Sequence, residues 1–178
     1  MEPNIDQTVE IKARCPDPEK TAAIIREAGA KLTSSELQED TFYRVQQGRL
    51  KLRRSKTDRY LIGYRRPDMS GPKHCLVNLY AYRDADRLDK VLTEALGVRV
   101  SVKKMREVYR LDNIKFHIDR VEGLGDFVEI EVLGLRGKDS VEKLRETCEK
   151  YLSLLEIQPE DLVEAAYADL LEEASPSC

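Results

Sequence analysis

Apolar and polar residues alternate with a period of two in several short segments, the pattern of β-strands that bury one face. In the segment around Glu129 and Glu131, for example, both carboxylates share one face and Val128 lies on the other. We predict strands at Thr8–Arg14, Arg49–Arg53, Tyr60–Arg66, Val100–Arg106, Ile114–Val121 and Phe127–Leu133. Each has an apolar face that a helix can cover.

A period near 3.6 residues predicts four helices. The first follows Asp17, a plausible N-cap, with Pro18 at its first position. The second begins near 84–86 and the third at 139–140, and Pro159 opens the fourth. The apolar residues of the fourth stand in helical register at Leu162, Val163, Ala166, Tyr167 and Leu170. We expect these stripes to pack on the apolar faces of the strands.

The polar faces of three of the strands each carry one sign of charge. Arg49, Lys51 and Arg53 share one face, whereas Glu129 and Glu131 share another. The solvated side of an antiparallel sheet explains any single strand, but such sides usually mix signs. A closed barrel with charge inside and helices outside explains all the strands together and leaves no free edge. The sequence therefore predicts an α+β fold, a closed antiparallel β-barrel with helices packed outside.

Composition indicates one globular domain over residues 1–178, with 41% hydrophobic and 35% charged residues. The net charge is only −3, yet its distribution is uneven. Nine basic residues and one acid, Asp58, lie within 44–66, whereas eleven acids and three basic residues lie within 139–173. This asymmetry predicts a local anion site.

Several classes of protein are disfavoured by the same sequence. No stretch of about 18 apolar residues is present, which predicts no membrane span, and the first residues do not form a signal peptide. Four cysteines without metal-ligand spacing favour a reducing compartment, so we expect a cytoplasmic protein. The basic run has only Tyr60 and Tyr64 as aromatics, so nucleic acid is not the expected partner. His74 and His117, far apart in the chain, predict neither a metal site nor a catalytic pair.

A charged interior is costly unless the charges pair or bind a ligand. Arginine and lysine bind phosphate oxygens, and carboxylates bind Mg²⁺ or Mn²⁺, which usually share oxygen ligands with substrate phosphates. Glu129 and Glu131 point the same way and could chelate one ion. A metal-complexed polyphosphate therefore fits the pattern, and the chain has no Gly-rich phosphate loop of the Walker type.

The chain also resembles a known family, the CYTH domain proteins. These are named for class IV adenylyl cyclases and thiamine triphosphatases and are also called triphosphate tunnel metalloenzymes. The resemblance rests on the ordered segments VEIKAR, EDTFYR, GRLKLR, LIGYRRPD, GPK, VKKMREVY, FHIDRVEGLGDFVEIEV and YADLL. It implies an eight-stranded antiparallel barrel that forms a tunnel, a reaction on a triphosphate-containing small molecule and a Mg²⁺ or Mn²⁺ cofactor. It is compatible with a homodimer and implies no membrane partner.

The resemblance also implies roles for individual residues. It implies that phosphates are bound by Lys51, Arg53, Arg65, Arg66, Lys73, Lys104 and Arg106. Whether Arg65 or Arg66 faces inward stays open. It implies metal ligation by Glu10, Asp119, Glu129 and Glu131, and catalytic roles for Lys12, Lys104 and Asp119. Lys12 is either an acid–base group or a phosphate clamp.

Thr8 departs from the family pattern, because the signature's first glutamate normally stands there. Either the site binds its metal less well, or Glu10, Glu129 and Glu131 suffice for one ion. A carboxylate-rich distal site favours hydrolysis of a terminal phosphate, so we expect a triphosphatase. An adenylyl cyclase that makes cyclic AMP and pyrophosphate is the alternative. A non-catalytic module that binds polyphosphate or nucleotide is a third, motivated by Thr8.

Overall fold

A computed structural model describes residues 7–65, 71–135 and 137–174 of the chain. Its β-strands are Gln7–Arg14 (β1), Lys31–Tyr43 (β2), Arg49–Arg54 (β3), Tyr60–Arg65 (β4), Lys73–Ala81 (β5), Val98–Leu111 (β6), Ile114–Val121 (β7) and Gly125–Gly134 (β8). Its α-helices are Pro18–Glu27 (α1), Ala85–Leu96 (α2), Val141–Leu154 (α3) and Tyr167–Ala174 (α4).

The eight strands form a closed barrel in the order β1-β5-β4-β3-β2-β6-β7-β8. Every pair is antiparallel. Closure depends on β1, which pairs with β5 on one side and with β8 on the other. The closed antiparallel α+β barrel expected from the sequence is confirmed.

Two helices cover the outer wall formed by β1, β7 and β8. Asp17 accepts a hydrogen bond from Lys20 N and caps α1, as predicted, and Ser140 caps α3 through Lys143 N. The buried core beneath them includes Val9, Ile11, Ala13, Phe116, Ile118, Ile130 and Val132. Because side chains alternate along a strand, the residues between these positions must face into the barrel. Among the described residues, no helix has the length and apolar character to cross a bilayer.

The fourth helix was predicted wrongly. Residues Pro159–Asp161 form a single 3₁₀ turn, Leu162 is extended, and α4 begins only at Tyr167. The Val163 amide donates to the Lys12 carbonyl at 2.9 Å, which ties this segment to β1. Of the apolar residues that suggested one long helix, Val163, Tyr167 and Leu170 are instead buried or partly buried at one end of the barrel. Tertiary contacts therefore override the helical periodicity here.

Helix α4 packs across that end of the barrel. Its Tyr167 and Ala168 join a buried cluster whose barrel members are Phe42, Val102, Val121 and Phe127. Arg99 Nη2 fixes the helix from β6 by ion pairs of 2.5 Å to both Asp169 and Glu172. The barrel is thus closed at this end by an apolar layer and by the C-terminal helix.

Candidate functional site

The interior of the barrel is lined mainly by charged side chains. The inward-facing cations include Lys12, Arg49, Lys51, Arg53, Lys73, Lys104, Arg106, Arg110 and Lys115. The inward-facing carboxylates include Glu10, Glu36, Asp40, Asp119, Glu129 and Glu131. Cations therefore outnumber carboxylates in the described part of the interior, which favours an anionic ligand.

Asp119 on β7 lies at the centre of the densest group of contacts. Arg106 binds it with both ends of its guanidinium, through Nε to Oδ1 at 2.6 Å and through Nη2 to Oδ2. Tyr167 Oη donates to Oδ2 at 2.9 Å, and Lys104 Nζ lies 3.4 Å away. Burial alone would raise the pKa of Asp119, but Arg106 and Lys104 outweigh it and lower the pKa to about 2. Asp119 is therefore a buried carboxylate ion that holds two cations in place.

Lys104 has a strongly perturbed ammonium group. Burial, with the charge of Arg106 as the next cause, lowers its pKa to about 7, although Asp119 and Asp40 act in the opposite direction. A lysine with such a pKa exists in both protonation states near neutral pH. It can therefore exchange a proton with solvent or with a bound group, which an ordinary surface lysine does not do at this pH.

The second group of contacts centres on Asp40, which sequence reasoning missed. Asp40 on β2 accepts from Arg53 Nε and Nη2 at 2.8 Å each and from Lys51 Nζ at 2.8 Å. The carboxylate is only 2% exposed. Burial raises its pKa, but Arg53 and Lys51 outweigh that effect and hold the pKa well below its usual range. The phosphate-binding residues predicted on β3 thus have a buried counter-ion.

The carboxylates predicted as metal ligands lie on β1 and β8. Glu10 and Glu131 are cross-strand partners, and Glu129 is opposite Lys12, with 3.6 Å between Lys12 Nζ and Glu129 Oε1. Arg106 Nη2 also donates to Glu129 at 2.7 Å, which links this group to Asp119. Burial opposes ionisation of Glu129, yet Arg106 and the hydrogen bond from His117 keep its pKa well below the usual value.

His117, for which no role was predicted, lies within this cluster. Its Nδ1 is 3.2 Å from Glu129 Oε2, and its Nε2 is 3.7 Å from Glu131 Oε2. Burial and the charge of Arg106 lower the pKa of the imidazole. The alternation of β7 already indicated that His117 shares a face with Asp119. Only the register with β8 places it opposite Glu129, and the 3.7 Å contact places it near Glu131.

The segment before α4 closes one end of the tunnel over two lysines. Lys73 Nζ donates to the Val163 carbonyl at 3.1 Å, and Lys12 Nζ donates to the Ala165 carbonyl at 3.3 Å. Lys12 Nζ also lies 3.7 Å from the centre of the Tyr167 ring. Carbonyl dipoles and an aromatic face therefore stabilise these ammonium groups without adding a full negative charge.

Three further predictions concern β4 and β1. Arg65 has its side chain on the outer face, where it donates to Gln47 at 2.8 Å, because Tyr64 takes the inward position. The prediction that Arg65 binds phosphate is therefore corrected, and Arg66 lies outside the described residues. Thr8 faces inward and is 2% exposed, and its Oγ1 has no hydrogen-bond partner among the described residues.

The donor set suits a hard divalent cation. In the described part of the chain, no three His, Cys, Asp or Glu side chains converge closely enough to hold an ion. Magnesium is commonly bound by one or two carboxylates and completed by substrate phosphates and water. Glu131, with its cross-strand partner Glu10, could supply those carboxylates. Asp119 is less suited, because Arg106, Lys104 and Tyr167 already occupy its oxygens.

The chain belongs to the CYTH domain family, whose model matches residues 6–167. It is 24% identical over 173 residues to the "Putative adenylate cyclase MJ0240" of Methanocaldococcus jannaschii, covering 91% of this chain and 97% of the relative. Its fold matches the PH1012 protein of Pyrococcus horikoshii with a TM-score of 0.75 at 24% identity, covering 92% and 98% of the two chains.

A further solved structure with the same fold is HpAC1 from Hippeastrum. It matches with a TM-score of 0.61 at 17% identity, covering 96% of this chain and 97% of that one. HpAC1 is described as a putative adenylyl cyclase with a dominant triphosphatase activity. Proteins similar to this chain in sequence or in fold are thus described by both activities, and the fold alone does not separate the two reactions.

Proposed function

We propose that this protein is a metal-dependent hydrolase that removes the terminal phosphate from a triphosphate bound in the tunnel. The observation that carries the proposal is the excess of buried cations over carboxylates inside a closed barrel. Buried cations need counter-ions, and a triphosphate supplies several on one molecule. Membership of the CYTH family supports the same class of substrate.

The two sides of the tunnel would have different tasks. Arg53 and Arg106 can each bind phosphate oxygens through two donors, whereas Lys51 acts as a point charge. All three are ion-paired with carboxylates here, so a triphosphate would compete with those carboxylates for the cations. A Mg²⁺ or Mn²⁺ ion held by Glu131 and Glu10 would offset phosphate charge and orient the chain of phosphates.

Lys104 is suited to carry a proton, whereas Lys12 is better suited to bind phosphate. With a pKa of about 7, Lys104 can accept a proton and carry a full charge once phosphates surround it. Lys12 is held by the Ala165 carbonyl and by Glu129, which suits a clamp better than a proton carrier. Asp119 keeps Arg106 oriented and so acts as a positioning residue.

The test is turnover of inorganic triphosphate, thiamine triphosphate and ATP with Mg²⁺ or Mn²⁺, with phosphate, pyrophosphate and cyclic AMP all measured. We expect release of one phosphate per triphosphate. The Arg53→Gln variant should lose about 10²–10³ in kcat because it removes a donor to developing charge. Arg87 on α2, which is 90% exposed, supplies the control variant Arg87→Gln. Equal activity in both variants would contradict the proposed site.

The cyclase reaction is the alternative, and the similarity to a protein named as a putative adenylate cyclase favours it. It requires the ribose hydroxyl rather than water to attack the α-phosphate. Cyclic AMP and pyrophosphate as the products from ATP, without turnover of inorganic triphosphate, would replace the hydrolase with a cyclase.

Thr8 motivates the third candidate, a module that binds a metal triphosphate without converting it. Its hydroxyl is buried without a partner in the described part of the chain, so this position contributes no charge to a metal site. Tight, metal-dependent triphosphate binding without turnover, together with turnover in Thr8→Glu, would support that candidate. Turnover by the unmodified protein would eliminate it.

A further inference from the structure

The imidazole of His117 has a defined orientation inside the tunnel. Its Nδ1 lies 3.2 Å from Glu129 Oε2, and the side chain is only 8% exposed. An ionised carboxylate can only accept a hydrogen bond, so Nδ1 must carry the proton in this contact. In the neutral ring the lone pair is therefore on Nε2.

A second carboxylate lies near this nitrogen. Nε2 lies 3.7 Å from Glu131 Oε2, which is too far for a hydrogen bond. Nitrogen and oxygen ligands lie about 2.0–2.2 Å from a first-row divalent ion, so two ligands of one ion are roughly 3–4 Å apart. The observed separation falls within that range.

Glu129 completes a known type of metal-site arrangement. A histidine that binds a metal usually donates its other ring N–H to a carboxylate or carbonyl, which fixes the tautomer and makes the free nitrogen more basic. Glu129 occupies the place of that carboxylate, and Arg106 in turn orients Glu129 through a contact of 2.7 Å. The imidazole is thus held with its free nitrogen facing Glu131.

We infer that His117 Nε2 and Glu131 together form a mixed nitrogen–oxygen ligand pair that makes the tunnel's cation site prefer Mn²⁺, or a similar transition metal, to Mg²⁺. The inference rests on the proposed function, because it concerns the cation of that same site. An imidazole ligand suits transition metals, whereas Mg²⁺ prefers sites made of oxygen alone. Phosphate oxygens of the substrate and water would complete the ligands.

The chain offers a matched control, since it contains only two histidines. His74 on β5 lies opposite Val9, whose side chain is in the core beneath the outer helices, so His74 is on the outer face of the barrel. Its Nε2 lies 3.1 Å from Gln7 Oε1. The variants His117→Gln and His74→Gln therefore remove one imidazole inside the tunnel and one outside it.

The experiment is pulsed electron paramagnetic resonance of Mn²⁺ bound to the full chain, with Mn²⁺ and Mg²⁺ affinities measured in parallel. We expect coupling of Mn²⁺ to an imidazole nitrogen in the unmodified protein and in His74→Gln, and its loss in His117→Gln. We also expect His117→Gln to bind Mn²⁺ about 10- to 100-fold more weakly, while Mg²⁺ affinity changes far less. The spectrum of the unmodified protein decides the question even if a variant folds poorly.

The outcomes separate this inference from the proposed function. Triphosphate turnover with Mn²⁺ bound but without imidazole coupling would overturn the inference and leave the hydrolase intact. Equal loss of Mn²⁺ and Mg²⁺ affinity in His117→Gln would also overturn it, because His117 would then only support the fold of the site. Absence of both metal binding and triphosphate turnover would overturn both proposals.

Discussion

Replacing Asp40 with asparagine would remove the negative charge that balances Lys51 and Arg53. Asparagine is nearly the same size and can still accept a hydrogen bond from Arg53, so the change is mainly electrostatic. Breaking a buried ion pair by removing one partner typically costs about 3–5 kcal/mol. The side chains of Lys51 and Arg53 retain 14% and 12% exposure, and burial and Arg53 already lower the pKa of Lys51. Both facts reduce this cost, so we expect Asp40→Asn to lower the free energy of unfolding by about 3 kcal/mol.

In a protein of this size, 1 kcal/mol shifts Tm by roughly 2–4 °C, so Asp40→Asn should melt roughly 6–12 °C lower. Inorganic triphosphate should restore much of this loss, because it supplies the missing negative charge. We therefore expect triphosphate to raise the Tm of Asp40→Asn more than that of the unmodified protein. Differential scanning calorimetry with and without the anion measures both effects.

Glu39, the neighbour of Asp40 on β2, provides the control. Its carboxylate is 38% exposed and 4.0 Å from Lys103 on the outer face. Glu39→Gln should change the free energy of unfolding by no more than about 0.5 kcal/mol, as is usual for surface substitutions. Equal Tm values for Asp40→Asn and Glu39→Gln would contradict the counter-ion role of Asp40. So would a triphosphate-induced rise in Tm that is no larger for Asp40→Asn than for the unmodified protein.

Three other predictions concern the same tunnel. Lys104 has a pKa of about 7, so triphosphate binding at pH 8 should take up a proton, which calorimetry in buffers of different ionisation enthalpy detects. In Lys104→Arg that uptake should disappear. The Tyr167→Phe variant loses a hydrogen bond to an ionised carboxylate, so its free energy of unfolding in urea should be about 2 kcal/mol lower. The control is Tyr151→Phe, whose ring packs on Phe116; its free energy of unfolding should decrease by less. Asp40 and Asp119 have lowered pKa values, that of Asp119 about 2, so the stability they supply is complete above about pH 4 and should decrease as the pH falls below it. The corresponding neutral variants should not show this decrease in stability.

Much of the tunnel could be predicted from strand alternation. The period of two placed Lys104 with Arg106 and Glu129 with Glu131 on shared faces, because each strand is short and one of its faces is apolar. It could not locate Asp40, which stands beside Glu39 and suggests an ordinary solvated acidic pair. Its role depends on the register between β2 and β3, a tertiary property.

The role of His117 and the course of the last segment could not be predicted, for related reasons. The histidine has no partner nearby in sequence, and only the alignment of β7 with β8 brings two glutamates to it. The residues from Leu162 to Leu170 have a helical period, yet Val163 bonds to β1 and the segment extends across the barrel end. Local periodicity cannot reveal a backbone contact made with a strand that lies about 150 residues earlier.

The pairing of β1 with β8 also governs when the site can exist during synthesis. Glu10 is made early and Glu131 more than a hundred residues later, so a ribosome-bound chain that lacks β8 has no closed tunnel. The hairpin of β2 and β3 is complete long before that, and within it Asp40 already balances Lys51 and Arg53. The most basic part of the chain thus carries its own counter-ion while the barrel is still open. Binding of a triphosphate becomes available only when the last strand closes the ring.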